Sequence, residues 1–299
     1  MIYKILSDTT GFFFDTKIRM KKVAIQGGLG AYHGIAAENY FGEEVEIVPC
    51  ITFRDIFSAI QKEPNTIGIM AIENTIAGSL LGNYELLKNN KLPIAGEFKQ
   101  RISHCLAALP GTSIHEVKEV ESHPIALMQC TNFLDTLPGV RIIEHEDTAL
   151  AAKDVADKHL TATAAICSTR AAEIYGLDIL ARGIETNKHN FTRFLIFGNR
   201  WVVDELQKEE VINKSSIVFT LPHTEGSLSK VLSVLSFYGI SLTKIQSLPI
   251  IGREWEYQFY VDLKFSDLDR YHQSLDAIRP LISELKTLGE YPEGRQSEI

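Results

Sequence analysis

Short β-branched runs alternate with Ala/Leu-rich stretches from Lys22 to about Gly198. The runs fall at 23–26, 45–48, 67–72, 94–98, 104–109, 141–144, 164–167 and 194–197; helical stretches lie between them at 34–41, 53–61, 124–134 and 148–159. Short runs rich in Val and Ile read as strands, and longer Ala/Leu-rich stretches as helices. The alternation predicts an α/β fold of mostly parallel sheets covered by helices. In such folds ligands bind in the crevice at the carboxyl ends of the strands.

Past residue 200 the pattern changes. The charged stretch 204–210 (DELQKEE) lacks apolar periodicity and reads as a linker, so 201–213 is expected to join two units. Ile217, Phe219 and Leu221 then alternate as a strand. Gly226 opens a helix with Leu228, Val231, Leu232, Leu235 and Tyr238 on one face, and Gly239 ends it. A second strand follows at 240–250. Trp255, Tyr257, Phe259, Val261 and Leu263 alternate as a third. Leu268, Tyr271, Leu275, Ile278, Ile282 and Leu285 step by three and four as a second helix, and 288–291 closes the unit as a short strand. The order β-α-β-β-α-β predicts a ferredoxin-like small domain over 214–292.

Composition narrows the function. The chain has 299 residues, 45% hydrophobic and 23% charged, which suits a globular protein of two to three domains. Its net charge of −8 argues against nucleic acid or an anionic membrane as a partner. An anionic substrate would therefore need a local cationic pocket. Cys50, Cys105, Cys130 and Cys167 form no C-x-x-C pair, so reduced buried thiols and a cytoplasmic location are expected. The nine histidines show no metal-ligand spacing, and no metal is expected. Residues 1–19 look unlike a signal peptide and are expected to be a disordered extension, or to precede the true start at Met20; no apolar run is long enough to span a membrane.

Four polar motifs follow strands. The loop Gly27-Gly28-Leu29-Gly30 resembles a dinucleotide fingerprint, but the sixth position is His33. A tight turn, or amides at a helix N-terminus that attract an anion, fits it better than a nucleotide site. Glu73-Asn74-Thr75 through Ser79 is dense in polar groups where a pocket should lie, although Asn74 or Thr75 could simply cap a helix. In Glu121-Ser122-His123-Pro124, Ser122 or His123 either caps a helix or faces a substrate. Asn190-Phe191-Thr192-Arg193-Phe194 puts an arginine at the mouth of a buried strand, where it needs a partner. A bound carboxylate could serve, as could Glu73 or Glu185.

In this order and spacing the motifs resemble the prephenate dehydratase family. The similarity is carried by IENTIAGSL, NYELL, ISHCLAALPG, ESHPIALMQC and AAEIYGL…ARGIETNKHNFTRF, across about residues 22–198. The resemblance implies a two-lobed catalytic domain at 20–200, similar to periplasmic binding proteins. Lobe one would cover about 22–99 and 180–198, lobe two about 100–179, with the active site between them. GSLSKVLSVLSFYGISLTKIQSLP resembles the ACT domain that senses L-phenylalanine in this family, at a dimer interface. That implies a homodimer or homotetramer and an effector site at Gly226, Ser227, Leu228, Gln246, Ser247, Leu248 and Pro249. The family usually has Glu-Ser-Arg-Pro where this chain has Gln246-Ser247-Leu248-Pro249, so phenylalanine feedback is expected to be lost or altered.

The implied reaction converts prephenate to phenylpyruvate, water and carbon dioxide without a cofactor. Thr192 matches the family's essential threonine and would donate a hydrogen bond to the departing hydroxyl. Arg193 would grip the pyruvyl carboxylate, with the ring carboxylate near Phe194. Asn74, Thr75, Ser79, Asn83, His104, Ser122 and Asn190 are further substrate-binding candidates, while Glu73 reads as a structural partner. In a regular strand, however, Thr192 and Phe194 share one face and Arg193 points away. All three serve one site only on a loop or an irregular strand start. Alternatives are an arogenate dehydratase, marked by an acidic residue placed for an ammonium group, and a non-catalytic small-molecule sensor.

Overall fold

The computed structural model describes residues 20–42, 44–222, 224–254 and 256–297. The expected extension over 1–19 and the Trp255 end of the expected third strand of the small domain lie outside them.

The first lobe is built from β1 (Lys21–Gln26), α1 (Tyr32–Phe41), β2 (Val45–Cys50), α2 (Phe53–Lys62), β3 (Ile67–Asn74), β4 (Gly78–Ser79), α3 (Leu81–Asn89) and β5 (Ile94–Arg101). The chain then crosses to a second lobe. This comprises β6 (Cys105–Ala108), β7 (Glu119–Ser122), α4 (Pro124–Gln129), α5 (Thr131–Leu134), β8 (Arg141–Glu144), α6 (Thr148–Asp157), β9 (Thr163–Cys167), α7 (Thr169–Ile174) and β10 (Asp178–Arg182). The chain returns as β11 (Phe191–Phe197), followed by α8 (Arg200–Leu206). The crossings lie at 102–104 and 183–190, so the expected boundary near 180 cuts through β10, which pairs with β6 of the second lobe.

Both sheets are mixed rather than mostly parallel. In the first, ordered β16 (Arg295–Gln296), β5, β11, β3, β1, β2 with β4 on β3, strand β1 runs parallel to β2 and β3, whereas β11 is antiparallel to both its neighbours. In the second, ordered β10-β6-β9-β7-β8, the pairs of β6 are antiparallel and those of β7 parallel. The antiparallel strands are those that carry the chain across between lobes. A parallel strand needs a covering crossover helix, and a strand that has just left the other lobe has none.

Strand β11 is the hub. It starts at Phe191, three residues before the apolar run that predicted it, because backbone pairing continues through the polar Thr192 and Arg193. Its side chains alternate between two cores. Phe194 and Ile196 join the cluster that contains α1, α6 and α7, while Leu195 and Phe197 join the cluster toward α2, α3 and the C-terminal unit.

The stretch expected as a linker is partly helical. In α8, Val203 is buried and Arg200 pairs with Asp204 one turn on, enough to hold a short helix that apolar spacing alone does not show. The expected helix 124–134 is broken at Cys130 into α4 and α5.

The C-terminal unit comprises β12 (Lys214–Thr220), α9 (Ser227–Phe237), β13 (Ser241–Pro249), β14 (Tyr257–Lys264), α10 (Leu268–Ile278) and β15 (Glu284–Tyr291). Its antiparallel sheet, ordered β13-β14-β12-β15, has the ferredoxin-like arrangement. Helix α10 stops before Pro280, so Ile282 and Leu285 do not extend it; Leu285 lies in β15, which is longer than expected. One sheet face packs on α9 and α10, and the other on the back of the first lobe. Beyond the expected end at 292 the chain returns to the first lobe, where β16 (Arg295–Gln296) pairs with the edge of β5.

Candidate active site

A cavity of about 470 Å³ opens between the lobes. Its walls come from the ends of β1 and β3, from β11, and from the first turns of α1, α2, α4 and α6. The lobes meet beside it. Ser168 donates to the Gly30 carbonyl at 2.7 Å and the Tyr175 hydroxyl to the Leu29 carbonyl at 3.1 Å. Gly30 has φ +83°, and a Cβ there would lie 2.5 Å from Ala171. The glycine loop thus serves close contact between lobes, the tight-turn reading of it.

Thr192, Asn74, Ser79, His104 and Phe194 line this cavity. Behind the surface runs a chain of neutral hydrogen bonds. Asn74 Nδ2 donates to Thr192 Oγ1 at 3.0 Å and to Asn190 Oδ1 at 2.8 Å. Asn190 Nδ2 donates to Gln129 Oε1 at 2.8 Å. That same oxygen lies 3.0 Å from His104 Nε2, which must therefore be the donor, and the Tyr32 hydroxyl lies 2.9 Å from His104 Nδ1. Burial lowers the His104 pKa and keeps the ring neutral. The consequence falls on Thr192. Its oxygen already accepts a bond from Asn74, so its proton is free to donate into the cavity.

A bulge supports this wall. Between Arg193 and Phe194 the register of β11 against β3 skips Ile72. The displaced Ala71 N–H donates to His33 Nε2 at 3.2 Å. His33 is half-buried, desolvation pushes its pKa down to about 3, and its ring stands edge-on to Phe194 at 4.9 Å.

Among the described residues no Lys or Arg lines the cavity. The positive field there comes from helix N-termini instead. Asp147, His123 and Thr52 cap α6, α4 and α2 with their own side chains, but Ala31 gives α1 none. The first-turn amides of Tyr32 and His33 thus stand at an uncapped terminus on the cavity wall.

Arg193 is not in the cavity, contrary to expectation. It lies in regular strand, so its side chain leaves by the opposite face from Thr192 and Phe194. There Nε bonds Glu97 at 2.6 Å, Nη1 bonds Asp262, and Nη2 reaches the Tyr291 hydroxyl at 3.2 Å. Glu73 is 3.9 Å away and pairs with Lys244 at 2.7 Å, which is the structural role expected of it. Glu185 lies elsewhere: it accepts from the His104 amide at 2.9 Å and so ties the two lobe crossings together.

Four other expected residues fall outside the cavity. Thr75 bridges His189 and Phe191 backbone; Asn83 donates to the Ala71 carbonyl at 2.7 Å. Ser122 is fully buried and donates to the Ile166 carbonyl at 2.6 Å, because strand alternation turns it into the core and leaves His123 at the cavity. Asn190 supports Asn74 from behind. Sequence reasoning missed Gln129, Tyr32, His33, Glu146 and Asp147. The spacing of three in His123, Ala126 and Gln129 was the available signal for Gln129.

None of the seven expected effector residues lines the interlobe cavity. Gly226 has φ 72° and precedes α9; Gln246 bonds the Ser247 carbonyl. Leu248 is buried in the apolar cluster against the first lobe rather than open to a ligand, since β13, past the register shift between Leu242 and Lys244, turns Lys244 and Leu248 that way.

The relatives of this chain make it a dehydratase, a carbon–oxygen lyase. A family model described as prephenate dehydratase matches residues 23–201. Over 281 residues the chain is 38% identical to an arogenate dehydratase/prephenate dehydratase of Arabidopsis thaliana, covering 91% of this chain and 72% of that one. A prephenate dehydratase from Arthrobacter aurescens, solved with L-Phe, superposes with a TM-score of 0.79 at 21% identity, covering 91% of this chain and 90% of that one. A structure described as GqqA, a quorum-quenching acylase, superposes with a TM-score of 0.80 at 28% identity, covering 91% of this chain and 98% of that one. The chain belongs to the prephenate dehydratase family.

Proposed function

We propose that this chain converts prephenate to phenylpyruvate, carbon dioxide and water in L-phenylalanine biosynthesis, in the cytoplasm. The carbon–carbon bond to the ring carboxylate breaks, its electron pair enters the diene, and the C4–oxygen bond breaks as the ring becomes aromatic. Hydroxide is a poor leaving group. Thr192 donates a hydrogen bond to it as it departs, and a proton from solvent completes the water. The observation that carries this reading is the bond from Asn74 Nδ2 to Thr192 Oγ1, which leaves the hydroxyl proton unspent in a cavity between the lobes.

A cavity without a lysine or arginine among its described residues fits the energetics. A guanidinium on the carboxylate that is lost would stabilise the ground state more than the transition state. Amides at the start of α1 hold a carboxylate with less ground-state grip, and Phe194 and Phe53 wall the ring. With purified protein, prephenate should yield phenylpyruvate absorbance. Thr192→Ala should abolish most turnover while ligand binding persists; a sensor would show no turnover in either protein.

Arogenate is the second reading, favoured by Glu146 and Asp147 at the cavity wall. Asp147 is committed to capping α6, so Glu146 is the residue to meet an ammonium group. Glu146→Gln should lower kcat/KM for arogenate by about threefold to tenfold and leave prephenate unchanged. Equal losses on both substrates would refute this role.

The C-terminal unit we read as an ACT domain that pairs with a second copy, as homodimer or homotetramer, and takes L-phenylalanine at residues 226–228, 246, 247 and 249, with Leu248 buried behind them. With Gln246 and Leu248 in place of the usual charges, weak or absent inhibition by L-phenylalanine in the same assay is the expected result.

A further inference from the structure

The buried face of β11 opposite the cavity carries a balanced set of charges shared by both domains. Arg193, on β11, and Glu97, on β5, belong to the first lobe. Lys214 on β12, Asp262 on β14 and Tyr291 on β15 belong to the C-terminal unit. Lys214 Nζ bonds both Glu97 oxygens at 2.7 and 2.9 Å; Ser216 donates to Asp262 and lies against the Tyr291 hydroxyl. In register, Lys244 stands beside Asp262 and reaches Glu73 at 2.7 Å and the cavity-lining Ser79 at 2.8 Å. Three cations and three carboxylates are therefore divided between the domains, and neither domain balances its own. Separating the domains would take Asp262 from Arg193 and leave it with Glu97 and the more distant Glu73.

We propose that Arg193 is a positioning residue for Thr192, and that the C-terminal unit sets the catalytic strand through it. The argument is mechanical. Thr192 and Arg193 are consecutive residues of one strand, so the peptide plane between them is gripped on one side by the ion cluster. Asn74 fixes Thr192 on the other side, and its neighbour Glu73 lies opposite Arg193 and is held by Lys244. A shift of Asp262 or Lys244 with the C-terminal sheet is transmitted to both residues that aim the hydroxyl. A donor hydrogen bond to a leaving group acts in the transition state, so loss of positioning lowers kcat more than it raises KM. The proposal rests on Thr192 being the leaving-group donor.

The test uses the full chain. Asp262→Asn keeps side-chain volume and removes the charge; we expect kcat to fall about tenfold with KM within about twofold. Tyr291→Phe removes one hydroxyl only and should lower kcat about threefold. Leu288→Ala loosens the same interface through an apolar contact; at a comparable loss of Tm it should keep its kcat. Full kcat in Tyr291→Phe, or an equal kcat loss in Leu288→Ala, would overturn the proposal even where Asp262→Asn does not fold. Failure of the underlying reading looks different: Thr192→Ala would then retain turnover whatever the cluster variants do.

Discussion

The two faces of β11 satisfy their buried polar groups in opposite ways. On the cavity face, amides, a neutral imidazole and two hydroxyls are linked without a formal charge. On the other face, a residue away in sequence, a guanidinium is saturated by carboxylates from two domains. A neutral chain of donors and acceptors can end on a hydroxyl that accepts and keeps a proton to spare. An ion cluster leaves nothing to spare but resists displacement, since a charge stripped of its partner in low dielectric is costly. One strand thus carries an available group and the anchor that steadies it.

The sharpest way to break this contrast is to delete the available group. Thr192→Ala should lower kcat about 10²- to 10⁴-fold, the usual span for proton-donor assistance, while calorimetry shows substrate affinity nearly unchanged and Tm barely moves. Deleting the anchor should act on stability first. Arg193→Met leaves Glu97 and Asp262 sharing Lys214, and we expect urea denaturation to show a loss of about 3–5 kcal/mol. A loss below ~1 kcal/mol would mean that the cluster is solvated like a surface pair.

Acid separates the faces more gently. The His33 pKa falls to about 3 on folding because burial disfavours the cation. The unfolded chain then binds more protons below about pH 6.5, so stability present above that pH is lost as pH falls, at up to about 1.4 kcal/mol per unit. Lowered His104 adds in the same direction. Burial alone would raise the Glu97 carboxyl, but Arg193 and Lys214 hold it below its ordinary value, so its contribution is lost only below about pH 4.3. Tm measured between pH 5 and 6.5 should therefore flatten in His33→Gln and not in Glu97→Gln. The reverse result would assign the acid sensitivity to the interdomain face.

Much of this molecule was legible in local pattern. Period-two and period-3.6 runs located most strands and helices and the whole β-α-β-β-α-β unit, because burying one face imposes its period on the chain. The strand alternation of Thr192, Arg193 and Phe194 even stated the conflict that the structure resolves. Local pattern could not say which way. Arg193 reads equally as a carboxylate grip or a saturated ion pair until Asp262 and Tyr291, some 70 and 98 residues away, are brought beside it.

Residue type and spacing alone determined the α/β character, the division into two units and the motifs that carry Thr192 and Asn74. Only tertiary structure decided that the cavity is walled by helix termini without a cation, that Gln129 and Asn190 complete the Thr192 chain, and that Arg193 belongs to the domain interface. The reason is physical. Periodicity reports whether a side chain is buried, but a charge or a hydrogen bond is settled by the partner it meets, and that partner arrives from distant sequence only when the sheets pack.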